Sequence, residues 1–303
     1  MRILYLERNK KVCNYYQDMI HYLGKYSKVK VYYTMLETNF QNVMVTFQPQ
    51  LIIMGYSISD FGGNPNFYLK VKVPVYVILN KEYQNLEDKL DWLKRLKPRR
   101  VFTVHHDFKK YQELSNIPFH RIMWSANEKI FKKYDEEYKY DFFFSGVIRK
   151  EQTQNLRQQV YDSLSELQDY RLLIKVAFFK NNKLEGELYQ YSNEEYAKLI
   201  NHSKIVLSTT GPVDLVGTRY FEIMASNKAL ILCNKMPNNI YDKYLIDGYN
   251  CIMFTDMKNF KEKFKYYLEN EEERIKIVEQ AYHYFQNNLK WDHSVKRLIS
   301  LLK

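Results

Sequence analysis

Short apolar runs recur along the first half of the chain, each followed by a stretch with apolar residues at helical spacing. "RILYLE" (Arg2–Glu7) precedes an amphipathic stretch that runs to about Lys25. "KVKVYYT" (Lys28–Thr34) comes next, then a short helix, then "QLIIMGYS" (Gln50–Ser57). "VPVYVILN" (Val73–Asn80) leads into the helix "LEDKLDWLKRLK" (Leu86–Lys97), and "RRVFTVHHD" (Arg99–Asp107) and "HRIMWSA" (His120–Ala126) complete the set. Buried runs this short, separated by helices of about ten residues or more, predict parallel strands joined by crossovers.

The second half repeats the plan without repeating the sequence. "YDFFFSGVI" (Tyr140–Ile148) opens it, a helix follows near Thr153–Gln168, and "YRLLIKVAFF" (Tyr170–Phe179) is the next strand. The helix "NEEYAKLINHS" (Asn193–Ser203), the strand "KIVLSTT" (Lys204–Thr210), a further helix, "ALILC" (Ala229–Cys233), "NCIMFT" (Asn250–Thr255) and two C-terminal helices finish it. The polar run "KKYDEEYKY" (Lys132–Tyr140) reads as the linker. The fold class expected is α/β, with two Rossmann-like doubly wound domains, at 1–135 and 136–288. Such sheets bind ligands beyond the carboxyl ends of their strands, so two in tandem are expected to share a cleft there, and loops that follow strands are where function is sought.

Composition narrows the class. The chain has 303 residues, 46% of them hydrophobic, which suits two folded domains and excludes wholesale disorder. Met1–Glu7 reads as a buried strand rather than a secretory leader, and no apolar run approaches the roughly 20 residues that span a bilayer. Three scattered cysteines, Cys13, Cys233 and Cys251, form neither a disulfide framework nor a metal spacing, so a reducing, cytoplasmic setting is expected. The net charge of +11 points to an anionic partner, although a coding bias toward Lys, Asn, Tyr and Ile would produce it too. The densest basic run, "KRLKPRR" (Lys94–Arg100), falls at a helix end and strand start, away from the binding edge. It is either a solvated face or a peripheral contact with an anionic membrane. No stacked-aromatic motif suggests nucleic acid. No nucleophile-elbow pattern occurs, and "LERNKK" (Leu6–Lys11) stands where a dinucleotide fingerprint would follow the first strand.

One segment concentrates chemistry. "GPVDLVGTRYFEIMASNKALILCNK" (Gly211–Lys235) places Asp214 in a loop after a strand and Glu222 early in the next helix, seven residues between them. Gly211 and Gly217 let the backbone bend close to a ligand. Glu222 is placed to accept two hydrogen bonds from a ribose diol, and Arg219 has the planar fork that matches a diphosphate. The plain alternative is a helix start, with Asp214 or Thr218 as cap and Glu222 as first-turn charge.

This segment resembles the donor-binding signature of GT-B fold glycosyltransferases of the retaining "group one" type and their spore-maturation-type relatives. The match reads Asp214, Gly217, Phe221-Glu222 and Ala225-Ser226, with Arg219 two positions ahead of the Phe. Asp214 stands where Glu is commoner, and Asn227 where Gly is usual. "MWSANEKIF" (Met123–Phe131), "YDFFFSGVIRK" (Tyr140–Lys150) and "LKWDHSVKRLISLL" (Leu289–Leu302) resemble, in order, the close of the first domain, the first strand and phosphate-facing loop of the donor domain, and the terminal helix (289–303) that packs back on the first domain. The resemblance implies that Glu222 holds the donor ribose and Asp214 sits near the sugar. It implies that Gly146, Arg149 and Lys150, with Arg219, Gly217 and Thr218, face the diphosphate. It also implies transfer with retention, no cofactor and no bound metal. Arg157, further along the same helix, is expected at the surface.

On the acceptor side the same edge rule selects "GYSISDFGGN" (Gly55–Asn64), with Asp60, Gly62 and Gly63, then Asn80, and then His105 and His106 at the end of "VFTVHH". A histidine there would hydrogen-bond a sugar or act as base, unless packing claims it. The function expected is transfer of a sugar from a nucleotide-sugar donor to a glycan, lipid-linked or protein-linked acceptor. The alternatives are a sugar-nucleotide epimerase of the same fold and a non-catalytic basic binding module.

Overall fold

The computed structural model describes residues 1–8, 14–34, 39–55, 71–80, 82–149, 156–180, 183–185, 192–237 and 240–302. They divide into two compact units, Met1–Trp124 with Trp291–Lys303, and Ser125–Lys290.

The first unit is built on a six-stranded parallel sheet. Its elements are β1 (Arg2–Glu7), α1 (Asn14–Tyr26), β2 (Lys28–Tyr33), α2 (Phe40–Phe47), β3 (Leu51–Met54), β4 (Val75–Ile78), α3 (Leu86–Leu96), β5 (Arg100–Thr103), α4 (Phe108–Ser115) and β6 (Phe119–Arg121). The strand order is β2-β1-β3-β4-β5-β6, every pair parallel. The central strands are buried on both faces, which is why they read as unbroken apolar runs. Leu4, Leu6, Ile52, Met54, Val77 and Val101 meet Leu90, Trp92, Leu93 and Tyr111 from α3 and α4. The helices close with left-handed caps at Gln48, Lys97 and Asn116.

The second unit carries β7 (Tyr140–Arg149), α5 (Leu156–Ser163), a 3-10 turn (Leu164–Leu167), β8 (Leu172–Lys180), β9 (Lys183–Glu185), α6 (Asn193–Asn201) and β10 (Ser203–Ser208). A 3-10 turn (Pro212–Asp214), α7 (Arg219–Ser226), β11 (Leu230–Asn234), β12 (Ile252–Phe254), α8 (Met257–Glu269) and α9 (Glu271–Asn288) follow. The order is β12-β11-β10-β7-β8-β9, parallel except for the β8–β9 hairpin. Phe142, Phe144, Leu207 and Leu232 form its core with Phe260 and Phe264 of α8.

The structure differs from the sequence expectation at one segment and in the number of C-terminal helices, three rather than two. The charged run Lys132–Tyr140 is a strap on the second unit rather than a linker. Tyr134 donates its backbone N–H to Asn201 Oδ1 at 2.8 Å, Asn201 Nδ2 donates to the Lys132 carbonyl at 3.0 Å, and Lys228 Nζ donates to the Glu136 carbonyl at 2.8 Å. The C-terminal part holds three helices, the last being α10 (Trp291–Ser300), which is grouped with the first unit. Tyr26 hydrogen-bonds Asp292, Ser294 Oγ donates to the Met123 carbonyl, and Tyr76 Oη donates to the Leu302 carbonyl at 3.0 Å. Among the described residues, no helix is long and apolar enough to cross a membrane.

Candidate active site

In the second unit the chain lays β8 and β9 on one side of β7, and β10, β11 and β12 on the other. The order therefore reverses between β7 and β10, the place where open α/β sheets bind ligands. The two strands pair only as far as Phe143 and Val206, whereas β7 stays paired with β8 to Arg149. Carbonyls of β7 beyond Phe143 thus face a gap at the carboxyl end of the sheet.

Two arginines occupy that gap. Arg219, the first residue of α7, donates Nη1 to the Ser145 carbonyl at 2.7 Å. Arg157, in the first turn of α5, donates Nη1 to the Val147 carbonyl at 3.1 Å and Nε to Thr209 Oγ1 at 2.7 Å. Arg157 is therefore not the surface residue that its sequence position suggests; it bridges the ends of β7 and β10. Between the two carbonyls sits Gly146 at φ 145°, where a Cβ would lie 3.3 Å from Arg157 Nη1 and 3.7 Å from Arg219 Nη1. Here the backbone angle favours glycine, and a Cβ would press on Arg157 while meeting Arg219 at ordinary contact distance.

Arg219 also lies over the Tyr196 ring, 5.2 Å from its centroid. Burial raises the Tyr196 phenol pKa, Arg219 opposes that rise, and the Glu222 carboxylate adds to it. Arg219, Tyr196 and Glu222 thus share one electrostatic neighbourhood. Glu222 is half-buried in the first turn of α7, where the helix dipole favours a carboxylate. Thr218 is the N-cap but its side chain makes no capping bond, while Glu222 does stand as the first-turn charge of the plain alternative.

The loop from β10 to α7 is fixed at several points. The Thr210 N–H donates to Asn234 Oδ1 at 3.0 Å, the Gly211 N–H to the Leu215 carbonyl at 2.7 Å, and the Val216 N–H to Tyr241 Oη at 3.3 Å. Val213 and Asp214 both adopt left-handed backbone angles, φ 54° and 56°. That is ordinary for Asp and strained for a β-branched Val. Gly217 is exposed, and a Cβ there would meet nothing within 4 Å. Arg149 ends β7, its backbone paired with Phe179. Lys150 lies outside the described residues.

The first-unit candidates are placed differently. Asn80 is buried, and its carbonyl accepts from Lys89 Nζ at 3.2 Å. His105 is 1% exposed. Its Nδ1 accepts the Asp107 N–H at 3.1 Å and lies 3.3 Å from Tyr111 Oη, and its ring stacks on His106 at 4.5 Å. Burial, then the charge of His106, lowers its pKa to about 4. His105 is therefore packed and neutral near pH 7, with its proton on Nε2, which corrects the expectation of a base poised near neutrality. His106 is less enclosed, with Nε2 3.7 Å from Asp107 Oδ1. His105, His106 and Asp107 are the only trio of metal-type ligands that converges among the described residues, within 4.8 Å. With Nδ1 of His105 already accepting and Nε2 protonated, that ring offers no unused lone pair, so the trio does not fit a metal. Asp60, Gly62 and Gly63 lie outside the described residues.

Residues 156–300 match the family described as "Glycosyl transferase-like". No curated protein matches the chain by sequence. Among solved structures, HepE from Anabaena in complex with UDP and glucose aligns at TM-score 0.69 and 11% identity, covering 100% of this chain and 99% of that one. Sucrose-phosphate synthase from Thermosynechococcus elongatus aligns at 0.68 and 9%, covering 99% and 98%. A glycosyltransferase from Rickettsia africae aligns at 0.67 and 12%, covering 100% and 97%. The chain has the GT-B fold of these glycosyltransferase structures, and the part of it that matches the glycosyl transferase-like family model is residues 156–300.

Proposed function

We propose that the chain transfers a glycosyl group from a nucleotide-sugar donor to an acceptor hydroxyl, with retention and without a bound metal or cofactor. The observation that carries this reading is the gathering of Arg157, Arg219 and Glu222 at the β7–β10 reversal. In this reading Glu222 accepts hydrogen bonds from the ribose diol. The donor diphosphate meets the two guanidinium groups, the α7 amides beyond Thr218 and the exposed backbone at Gly217, with Arg149 and Lys150 alongside. Asp214 faces the sugar. As the bond from the anomeric carbon to the diphosphate oxygen breaks, negative charge collects on the leaving group. Fixed cations around it do most to lower the barrier. The acceptor oxygen forms the new bond to the anomeric carbon and passes its proton to the departing diphosphate oxygen. Asp60, Gly62, Gly63, Asn80, His105 and His106 are the acceptor-side candidates, His105 as a neutral hydrogen-bond donor. The exposed Lys94, Arg95, Lys97 and Arg99 supply a basic face for contact with anionic lipid.

HepE was solved with UDP-glucose, so uridine diphosphate glucose is the donor to test first. Titration of UDP, GDP and CDP sugars by calorimetry checks the reading, with Glu222→Ala as control. Charge-assisted hydrogen bonds of about 1.5–3 kcal/mol predict a loss of roughly 10- to 100-fold in donor affinity without unfolding. Unchanged donor binding in Glu222→Ala would remove the assigned role.

A further inference from the structure

Beyond the end of β11 lies a cavity of about 430 Å³ inside the second unit, within the size range of small-ligand sites. Its lining is mainly apolar: Met236, Leu245, Ile246 and Met253, with the ring of Tyr241. Lys235, Asp242 and Asp247 also line it and are exposed, so the charges stand on its solvent side. Asp247 is already engaged, accepting the Met253 N–H at 2.7 Å and lying 3.6 Å from Lys263 Nζ. Ile246 is 38% exposed although it lines the cavity, and Tyr249, in the same turn, is exposed to the same degree. Ile246 thus stands at the mouth of the hollow, where it opens to solvent.

A hydrogen bond joins the cavity wall to the donor loop. Tyr241 is almost fully buried, and its hydroxyl accepts the N–H of Val216, which lies between Asp214 and Gly217. Whatever moves Tyr241 therefore acts on the backbone that carries both residues.

We propose that this cavity holds the hydrocarbon tail of an amphiphile with a sugar head, and that its occupancy is felt at the donor loop through Tyr241. Two thioethers and two branched aliphatic side chains suit a flexible alkyl chain better than a hydrogen-bonding ligand. The polar head would remain at the mouth, near Lys235 and Asp242. The coupling rests on the proposed function and makes the acceptor lipid-linked; the occupancy of the cavity does not depend on it.

The probe is n-octyl β-D-glucopyranoside below its micelle concentration, added to full-length protein carrying ¹³C-methyl methionine. Of the ten methionines, Met236 and Met253 should shift together and saturate. Leu245→Trp, which fills the cavity, should abolish the shift. Ile246→Lys, at the exposed mouth, should weaken it at least tenfold and serves should the first variant misfold. Shifts spread over all methionines, or shifts of Met236 and Met253 that persist in both variants, would overturn the site. In wild type the probe should change UDP affinity, and Tyr241→Phe should keep probe binding while losing that change. A UDP affinity indifferent to saturating probe would overturn the coupling. A protein that binds no nucleotide at all would sink the donor reading instead, leaving the methionine readout intact.

Discussion

Arg219 donates its Nη1 to the carbonyl of Ser145 at 2.7 Å, across the point where β7 has parted from β10. A strand carbonyl that a neighbouring strand would ordinarily satisfy is satisfied by a side chain of α7, the third helix after that strand. The guanidinium is thereby oriented before any ligand arrives, with its ring partner Tyr196 on one face. Such pre-orientation lowers the cost of binding a diphosphate, because the side chain is already ordered.

Arg219→Lys tests this directly. Lysine keeps the charge but loses the fork and the planar stack. UDP affinity is expected to fall about tenfold, read by calorimetry, with the fold retained. Wild-type affinity in this variant would mean that Arg219 serves the strand alone.

Arg157→Met leaves Thr209 Oγ1 and the Val147 carbonyl without their donor. Buried groups stripped of partners cost about 1–3 kcal/mol. Thermal melting should show that loss, and donor affinity should fall with it. A stable variant that binds weakly would separate the ligand role from the bridging role.

Two glycines should respond in opposite ways. Gly146→Ala forces an L-residue to φ 145° and crowds Arg157, and a cost of about 1–3 kcal/mol is expected in stability. Gly217→Ala meets open space, so its melting temperature should stay within a degree or so of wild type. Any loss of UDP affinity in Gly217→Ala then reports a ligand that approaches the backbone there.

Stability should also depend on pH through His105. Its folded-state pKa, about 4, is below the unfolded value of 6.5. Between those values the unfolded chain binds the extra proton, so stability rises with pH through this window. The contribution is complete above about pH 6.5 and is lost as pH falls toward 4. Its size is on the order of 3 kcal/mol at 1.36 kcal/mol per pH unit. His105→Phe should flatten the fall in melting temperature between pH 6.5 and 4; an unchanged slope would show that another group titrates there.

Much of the fold was legible because parallel strands buried on both faces leave apolar runs, and their crossovers leave helical periodicity. β1, β3, β4 and β5 fall inside the predicted stretches for that reason, and β10 and β11 overlap theirs with one residue outside. β9 was not legible, since three residues with two charges carry no pattern. The strap at Lys132–Tyr140 reads as linker because its holding contacts use backbone groups, which sequence does not display. Arg219 and Glu222 were visible from their spacing at a helix start. Arg157 was not: its partners are the Val147 carbonyl of β7 and the Thr209 hydroxyl past β10, which come together only where the two strands part. His105 was legible as a residue near a strand end but not as a packed one, because enclosure by Tyr111 and His106 arises from tertiary placement.

The placement of α10 bears on how the chain becomes folded as it is synthesised. Tyr76 and Leu302 are hydrogen-bonded across 226 positions, so the earliest-made sheet waits for the latest-made helix. Residues 125–290 can settle first, since their contacts close without help from either end. On a ribosome, the amino-terminal half would sit unfinished through more than half of translation, with the floor under Trp291 and Val295 still bare. Truncation just before residue 291 should therefore harm the far end of the sequence more than the near one.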